Sequence, residues 1–368
     1  MRNIIPYVNL KRQWESERKE LLPIIDEVMS SGELVGGKVI TEFEQKAADY
    51  CKTKYCVALN SGTDALMCGL KALGVRSGDE VITPPNSFIA STAAIIHIGA
   101  KPVFVDVRND QLIDPKKIRQ AITKKTKAIM PVHLTGKMAE MTEIMAIASE
   151  FAIPVIEDAA QSIGSRNNGF PSGSLGAVGC FSAHPLKNLN ACGDSGFLVS
   201  NNEKLVSGIK QFSNHGMSER NTVQRFGLVS RMDSLQAAIL NFRLGKLDTV
   251  INKRRKNADL YRKHLSQKYV DLPHDSDTDF NTYHTFVIQC EKRDQLAEYL
   301  KVNGIQTAIH YPIPIHLQPA ALHLGYRKGD FPAVEYQSDR ILTLPIHQYL
   351  STKDIMTIST TINEFFGK

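Results

Sequence analysis

The feature that most constrains this chain is a regular alternation, from residue 55 to residue 158, of short apolar runs with longer amphipathic segments. The short runs are typical of buried strands, and the segments between them place apolar residues at helical spacing. Strands joined by helical crossovers form a parallel sheet that helices cover on both faces. We therefore predict strands at 55–59, 80–83, 102–107, 128–132 and 154–158, with helices at 63–73, 88–98, 115–122 and 139–151.

The pattern changes after this alternating region. Two further strands, at 179–182 and 196–200, follow without a long helix between them, so we expect a mixed edge of the sheet. Near the carboxyl terminus, short strands at 285–290 and 307–310 mix with helices. This second pattern is typical of an α+β unit rather than of a continued parallel sheet.

The length of 368 residues is enough for one large domain with a smaller partner. A long helical stretch at 234–265 separates the two patterns. We place the boundary along it. The large domain then covers residues 1–250, including an N-terminal helical segment, and the small α+β domain covers residues 251–368.

Charge and cysteine content argue against several classes of protein. The formal net charge of +6 is mild, and the densest basic cluster, at 253–256, lies in a helical pattern that indicates a solvated face rather than nucleic-acid binding. The six cysteines show no CxxC pair, which favours free thiols over disulfides or a metal site. The N-terminal residues lack a signal-peptide core, and no run reaches the roughly 18 apolar residues of a membrane span. We expect a cytoplasmic protein with no membrane or nucleic-acid partner.

Ligands of open parallel sheets bind where the strands end. The first such place is the segment 60–64, which follows the first predicted strand and opens a helix. Ser61 and Asp64 fit a capping box. Free amides at the helix start, with Gly62 for close approach and the Thr63 hydroxyl, also suit a phosphate. From these residues alone, the cap and the phosphate site both remain open.

Three further strand ends carry candidate side chains. Asp158 ends a very apolar strand, where a buried carboxylate needs a cationic partner such as a protonated pyridine nitrogen; a metal or a helix cap are the alternatives. Lys187 lies in a glycine-flanked loop, where desolvation would make it a nucleophile, although most loop lysines are solvated. Phe88 follows another strand and suits either stacking on a flat ring or core packing.

Taken together and in this order, these segments resemble one family. The four short motifs are SGTDAL at 61–66, PPNSF at 84–88, VIEDAAQS at 155–162 and FSAHPLKN at 181–188. Longer blocks are GDEVITPPNSFIAS at 78–91, TKAIMPVHLTG at 126–136, SRMDSLQAAIL at 230–240, HYPIPIHLQPA at 310–320 and GDFPAVEYQSDRILTLPIH at 329–347. The pattern is similar to fold-type-I pyridoxal-phosphate enzymes and, more narrowly, to the DegT/DnrJ/EryC1/StrS sugar aminotransferases. The resemblance implies a large domain with a mainly parallel seven-stranded sheet.

The resemblance also implies roles for individual residues. Lys187 would bind pyridoxal 5'-phosphate covalently and move the proton during transamination, while Asp158 would keep the pyridine nitrogen protonated. The other implied cofactor contacts are Gln161 at the ring hydroxyl, Phe88 stacked on the ring, and Gly62, Thr63 and Ser182 at the phosphate. The implied substrate contacts are His184, Tyr311 and His316.

The activity implied by the resemblance is transfer of the amino group of L-glutamate to a nucleotide-linked keto sugar. Carbon 3 is slightly favoured over carbon 4, and the amino sugar would serve glycan or lipopolysaccharide biosynthesis. The family builds shared active sites in a homodimer, where the partner usually supplies a phosphate-binding asparagine from a GYNSR segment. Here the segment 227–231 reads GLVSR, with Val229 at that position. Either Arg225 or Arg231 replaces the asparagine, or the phosphate has one contact fewer.

Three alternatives belong to other classes of protein. Relatives that dehydrate sugars carry histidine at the lysine position, so Lys187 favours transamination over a dehydratase. A non-catalytic pyridoxal-phosphate-binding regulator would be expected to have lost at least one of Lys187, Asp158 and Gln161. A nicotinamide-dependent dehydrogenase is disfavoured because no GxGxxG follows the first strand.

Overall fold

The computed structural model describes residues 4–367. The α-helices are α1 (Leu10–Ser31), α2 (Lys38–Tyr50), α3 (Gly62–Ala72), α4 (Ile89–His97), α5 (Pro115–Ala121), α6 (Met141–Glu150), α7 (Glu203–Phe212), α8 (Ser234–Leu244), α9 (Leu247–His264), α10 (Arg293–Val302), α11 (Pro332–Ser338) and α12 (Thr352–Gly367). The strands are β1 (Tyr55–Leu59), β2 (Glu80–Thr83), β3 (Lys101–Phe104), β4 (Thr126–Ile129), β5 (Ile156–Asp158), β6 (Arg166–Asn167), β7 (Phe170–Pro171), β8 (Val178–Ser182), β9 (Gly196–Ser200), β10 (Met217–Glu219), β11 (Thr222–Val223), β12 (Val270–Asp271), β13 (Asp279–Phe280), β14 (Phe286–Cys290) and β15 (Ile341–Leu344).

The main sheet has the strand order β3-β2-β4-β5-β8-β9-β1. The parallel trio β3-β2-β4 joins the remaining strands through parallel bridges from Ile129 to Val155 and from Val132 to Asp158. β5 and β8 are parallel, and β9 runs antiparallel to both β8 and β1. The expected mainly parallel seven-stranded sheet is thereby confirmed.

The mixed region lies at one end of the sheet, as expected, but the two later strands do not form the edge themselves. β9 is an interior strand because β1 pairs with its outer side along its whole length, from Tyr55–Ser200 to Leu59–Gly196. All residues of β9 are buried, as an interior strand requires. The edge strand at this end of the sheet is therefore β1.

Both faces of the sheet are covered, as predicted for strands with helical crossovers. Successive residues of β8 point to opposite faces: Cys180 packs in one hydrophobic cluster with residues of α3, while Phe181 packs in another with residues of α2 and α8. The Phe181 ring stacks on that of Phe197, with centroids 4.8 Å apart, and Phe43 meets Phe197 edge-on at 5.4 Å. These clusters fix the strand ends from which the candidate site is built.

A second, antiparallel sheet of order β12-β14-β15 packs with α9, α10 and α12. The predicted helix at 234–265 is two helices, because the chain breaks at Gly245 and Lys246 between α8 and α9. Glycine is a poor helix former, which accounts for a break there. The predicted strand at 307–310 is reduced to one bridge, between Ala308 and Thr343. The boundary proposed near residue 250 falls within α9 and stays a prediction.

A short N-terminal segment, residues 5–8, lies against this second unit. The Ile5 amide donates to the Gly304 carbonyl at 2.9 Å, and the Ile5 carbonyl accepts from the Gln306 amide at 3.0 Å. The Pro6 carbonyl is within hydrogen-bond distance of His347 Nε2, at 3.1 Å. The segment is held on both sides, which places Tyr7 beside the candidate site.

All six cysteines are free thiols. Cys192 is exposed, whereas the others are buried: Cys51, Cys56, Cys68, Cys180 and Cys290. Burial raises the pKa of Cys51 and of Cys68 to about 12, because a thiolate is poorly solvated in the core.

Among residues 4–367, no helix is long and apolar enough to cross a lipid bilayer.

Candidate active site

A cavity of about 280 Å³ opens at the carboxyl ends of the main-sheet strands. Its walls come from both units, since α9 and the segments after β13 and before β15 face the strand ends of the large sheet. Nine of the side chains or glycines predicted from the sequence line it: Gly62, Thr63, Phe88, Asp158, Gln161, Ser182, His184, Lys187 and Tyr311. Residues far apart in the chain therefore converge on one site.

The first wall is the start of α3. Ser61 caps this helix, and its hydroxyl accepts from the Asp64 amide at 3.1 Å, as the capping box predicts. The amides of Gly62 and Thr63 have no partner within the helix, because they belong to its first turn. A Cβ on Gly62 would lie only 2.7 Å from the Cβ of Ser182 at the end of β8. Glycine thus lets the helix start approach the strand end closely enough to form a cradle.

The Asp158 carboxylate ends β5 and is 4% exposed. Its Oδ2 accepts from the Ser91 hydroxyl at 2.6 Å, and its Oδ1 accepts from the Ala160 amide at 3.2 Å. Burial raises the pKa of Asp158, while these two donors and the nearby Lys187 ammonium oppose that rise. A cation brought into the cavity would therefore stabilise the ionised form of the Asp158 carboxylate.

Lys187 follows β8 in a loop that folds back on itself. Its amide donates to the His184 carbonyl at 2.8 Å, and the next side chain, Asn188, donates to the Thr282 carbonyl at 3.2 Å. The Lys187 side chain keeps some solvent contact within the cavity, yet protein surrounds it. Burial lowers the pKa of Lys187 to about 8, because the ammonium is poorly solvated there, with Asp158 opposing the change. The lowered pKa increases the neutral fraction of the amine near neutral pH, and the neutral amine is a nucleophile and a base.

Gln161, Tyr311 and Phe88 form one side of the cavity. Gln161 Oε1 accepts from the Thr135 amide at 2.9 Å, and its Nε2 donates to the Tyr311 hydroxyl at 3.3 Å. The rings of Phe88 and Tyr311 lie 5.8 Å apart, and Phe88 is 55% exposed. An aromatic face left open in this way is available to a flat ligand ring.

His316 is the one predicted site residue that the structure does not bring into the cavity. It is buried at 1% exposure, its Nε2 lies 3.0 Å from Glu335 Oε1, and its ring packs edge-on against Phe331. The HYPIPIH segment turns between Tyr311 and His316, so only its first part faces the site.

The proposed replacements for the asparagine at position 229 are engaged elsewhere. Val229 is 49% exposed and bridges to Asn214. The Arg225 guanidinium donates to the Gly208 carbonyl, and Arg231 donates to Asn214 Oδ1 at 3.3 Å. Neither arginine lines the cavity of its own chain.

Several residues of the site escaped sequence reasoning. Ser91 and Arg254 lie within helical patterns, where a serine or an arginine looks like any surface residue. From the sequence there was no reason to assign Glu157 a role separate from that of Asp158. In the structure Glu157 is fully buried and accepts from the amides of Gly173 and Leu175 at 2.7 and 2.8 Å. It also pairs with the buried His133 Nε2 at 2.8 Å. The two adjacent carboxylates therefore have different surroundings: Glu157 binds the loop that contains Gly173 and Leu175, and Asp158 faces the cavity.

Sequence comparison gives consistent matches along the chain. The model of the DegT/DnrJ/EryC1/StrS aminotransferase family matches residues 15–363. A pleiotropic regulatory protein of Geobacillus stearothermophilus is 38% identical over 98% of each chain. A UDP-2-acetamido-2-deoxy-3-oxo-D-glucuronate aminotransferase of Pseudomonas aeruginosa is 37% identical over 98% of this chain and 99% of its own. A dTDP-3-amino-3,6-dideoxy-alpha-D-galactopyranose transaminase of Aneurinibacillus thermoaerophilus is 37% identical, with the same shares covered.

Solved structures agree with these matches. DesV of S. venezuelae, in complex with a ketimine intermediate, superposes with a TM-score of 0.97 at 34% identity and covers 99% of both chains. NtdA of Bacillus subtilis, with bound cofactor PMP, superposes with a TM-score of 0.91 at 35% identity, covering 98% of this chain and 85% of its own.

Proposed function

This chain belongs to the DegT/DnrJ/EryC1/StrS aminotransferase family, and on that premise we propose that it transfers the amino group of L-glutamate to a nucleotide-linked keto sugar. It is an enzyme, a pyridoxal-phosphate-dependent aminotransferase. The observation that carries the proposal is the convergence of Lys187, Asp158 and the α3 cradle on one cavity.

The residues of this cavity fit pyridoxal 5'-phosphate. The close approach of Gly62 to Ser182 makes an amide cradle for a phosphate, and the buried Ser195 hydroxyl on the cavity wall has no hydrogen-bond partner. The Asp158 carboxylate suits the protonated ring nitrogen, and the open face of Phe88 suits the ring. When bound, this cofactor supplies an electron sink that makes the amino-acid α-carbon acidic.

Lys187 would carry the moving proton. Its pKa of about 8 leaves the amine partly neutral near physiological pH, so Nζ could accept the proton from the donor's α-carbon and then donate it at the cofactor's aldehyde carbon. Asp158 acts by charge alone, since its ionised form favours a protonated partner. Gln161, held by the Thr135 amide, is placed to donate to an oxygen on the ring edge.

The acceptor class follows from the relatives. Two of the relatives named above, the aminotransferase of Pseudomonas aeruginosa and the transaminase of Aneurinibacillus thermoaerophilus, are named for sugars carried on UDP or dTDP, and both names place the reacting group at carbon 3. We assign a keto sugar of this kind to the present chain, with carbon 3 preferred over carbon 4. The amino sugar formed would enter glycan or lipopolysaccharide biosynthesis in the cytoplasm.

We also propose a homodimer with shared active sites. Supporting this, apolar side chains stand exposed on and beside the 214–231 segment, with Phe226 98% exposed and Val223 54% exposed. Leu34 and Val35, also about half exposed, lie next to Asp233 and Ser234. A second copy of the chain would cover such a surface.

The decisive experiment is the absorption spectrum of the protein with pyridoxal phosphate, before and after L-glutamate is added. We expect the wild-type protein to show a yellow absorption. L-glutamate should remove this absorption, with release of one 2-oxoglutarate per site. Lys187→Ala should not show the absorption. Asp158→Asn should keep the colour but slow the glutamate reaction by about 10²-fold or more, since it removes a buried charge that acts on the reacting system.

Other outcomes would favour the alternatives. A colour that ignores glutamate would favour a dehydratase or a regulator, and deoxy-sugar formation without 2-oxoglutarate would identify the dehydratase. Absence of colour in the wild-type protein would overturn the assignment of Lys187.

A further inference from the structure

Arg254 of α9 is a buried guanidinium on the wall of the cavity. It is 7% exposed, and its Nη1 donates to the carbonyls of Tyr283 and His284 at 3.2 and 3.1 Å. Its Nε is buried without a hydrogen-bond partner. The backbone thus fixes one side of the guanidinium fork and leaves donors on the other side unused.

No carboxylate of residues 4–367 forms a salt bridge with Arg254. The groups that face it electrostatically are the Tyr7 and Tyr349 hydroxyls. Burial lowers the pKa of Arg254 to about 10, so the group remains a cation at neutral pH. A buried cation without a counter-ion is costly, and an anionic ligand would offset that cost.

Three histidines of the cavity do not supply a second cation at neutral pH. Burial lowers the pKa of His310 and of His347 to about 4, and that of His284 well below its ordinary value, so these rings are neutral at pH 7. Lys187 is committed to the cofactor and to proton transfer. Of the described side chains that line the cavity, Arg254 is the only guanidinium.

We propose that Arg254 binds a carboxylate of the amino donor, an inference that rests on the proposed function. Every amino-acid donor and its keto-acid product carry a carboxylate beside the reacting carbon, whereas a keto sugar need not carry one. A guanidinium fork matches a carboxylate in shape and charge. Because Nη1 is already held by two carbonyls, the fork is oriented before the donor arrives, which limits the entropy lost on binding.

The test separates donor binding from cofactor and sugar binding. In the pyridoxal-phosphate-loaded enzyme, the dissociation constant of glutarate is measured by calorimetry, and that of L-glutamate from the concentration dependence of the single half-reaction. Arg254→Gln should weaken both by about 10- to 100-fold, the usual loss for a charge-assisted hydrogen bond. Arg254→Lys should be intermediate, and the affinity for pyridoxal phosphate should not change.

Arg255→Gln is the matched control. Arg255 lies on the same helix and also donates to a carbonyl of the same segment, that of Asn281 at 2.8 Å, but it does not line the cavity. Its replacement should leave glutarate binding unchanged, so a loss specific to Arg254 would not reflect a general loosening of residues 281–284.

Three results would overturn the inference. One is a loss confined to the keto-sugar half-reaction, which would make Arg254 a sugar contact; another is weakened cofactor binding. The third is wild-type glutarate affinity in Arg254→Lys together with failure of Arg254→Gln to fold, which would leave only a structural role. Failure of the proposed function is distinct, because the wild-type enzyme itself would then leave L-glutamate unreacted.

Discussion

At the scale of single residues, burial changes the pKa values of two residues of the site in opposite directions. Burial raises the pKa of Asp158 and lowers that of Lys187, since it disfavours the charged form of both. The residual attraction between the two charges limits both changes. The Ser91 hydroxyl adds a short hydrogen bond to the carboxylate, so it acts as a positioning residue for Asp158.

Replacing Ser91 by alanine should therefore change the pH dependence of the reaction. The hydroxyl lowers the pKa of Asp158, so its removal raises that pKa further. The ionised carboxylate exists only above the pKa. The acid limb of the kcat/KM profile should then move to higher pH in Ser91→Ala, with the plateau at alkaline pH little changed.

Ser359→Ala provides the control, because Ser359 is a buried serine of α12 whose hydroxyl has no hydrogen-bond partner. Its pH profile should match that of the wild-type enzyme. An acid limb in Ser91→Ala that coincides with the wild-type limb would show that the hydroxyl does not tune Asp158.

Two residues predicted from polar groups near apolar strands line the cavity: Asp158 ends β5, and Lys187 lies in the loop after β8. The roles that motif resemblance implies for them stay predictions. Arg254 could not be found, because its burial depends on how α9 packs against the loop at 283–284. His316 does not line the cavity, and the sequence could not show this, because proximity to Tyr311 along the chain does not fix the direction of a turning segment.

At the scale of elements, the cradle depends on how closely α3 meets the ends of β8 and β9. A Cβ on Gly196 would lie 2.3 to 2.5 Å from backbone atoms of Ser61 and Gly62. Backbone atoms cannot move aside as a flexible side chain does. The absence of a side chain at Gly196 therefore sets the position of the helix start.

Gly196→Ala should displace the start of α3 and weaken pyridoxal-phosphate binding. We expect a loss of about 1–3 kcal/mol in unfolding free energy, the usual cost of overpacking. Thermal unfolding of the cofactor-free protein and a fluorescence titration with pyridoxal phosphate measure the two effects separately.

Gly245→Ala is the matched control for this glycine. Its Cβ would have an ordinary contact of 3.6 Å with the Phe242 carbonyl oxygen, and its backbone is already helical, with φ of −63°. It should keep cofactor affinity and gain up to about 1 kcal/mol of stability. Equal cofactor affinity in Gly196→Ala and Gly245→Ala would contradict the role given to the close approach.

Element-level prediction was most accurate in the alternating region, where two periodicities are easily told apart. The strand β1 matches its predicted bounds, and the helices α3 and α4 begin and end within a residue of theirs. The single helix at 234–265 was wrong because Gly245 sits in an otherwise continuous apolar pattern. The pairing of β1 with β9 could not be predicted from the sequence, because the register between distant strands depends on tertiary packing.

At the scale of the whole molecule, the cavity is closed by parts that are far apart in the chain. The N-terminal segment at 5–8 is held by residues 304–306 and by His347 and contributes Tyr7 to the wall, while α9 contributes Arg254. The residues proposed to bind the cofactor lie at or just after the carboxyl ends of the main-sheet strands. The proposed cofactor and donor sites would thus be built by different units, and their relative placement would decide the geometry of the reaction.

The proposed homodimer gives a prediction at this scale. Phe226→Glu places a charge on the most exposed of the large apolar side chains, and burial of that charge in a subunit interface would be unfavourable. We expect dimer association to weaken by about 2 kcal/mol or more, roughly 30-fold. Light scattering over a range of protein concentrations measures the effect.

Leu322→Glu is the control, because Leu322 is 72% exposed but lies outside the 214–231 segment. It should retain the mass of the wild-type protein. A wild-type protein that scatters as a monomer at all concentrations would refute the dimer and, with it, the shared active site.

The distribution of thiols has a practical consequence for following this enzyme in solution. Five of the six cysteines are buried, and Cys192 alone is exposed, in the loop that connects Lys187 to β9. The side-chain amide of Gln236 holds the Cys192 backbone: Cys192 N donates to Gln236 Oε1, and Cys192 O accepts from Gln236 Nε2. A maleimide fluorophore would therefore mark the native chain at one defined position, and its emission would report on the lysine loop as ligands enter and leave.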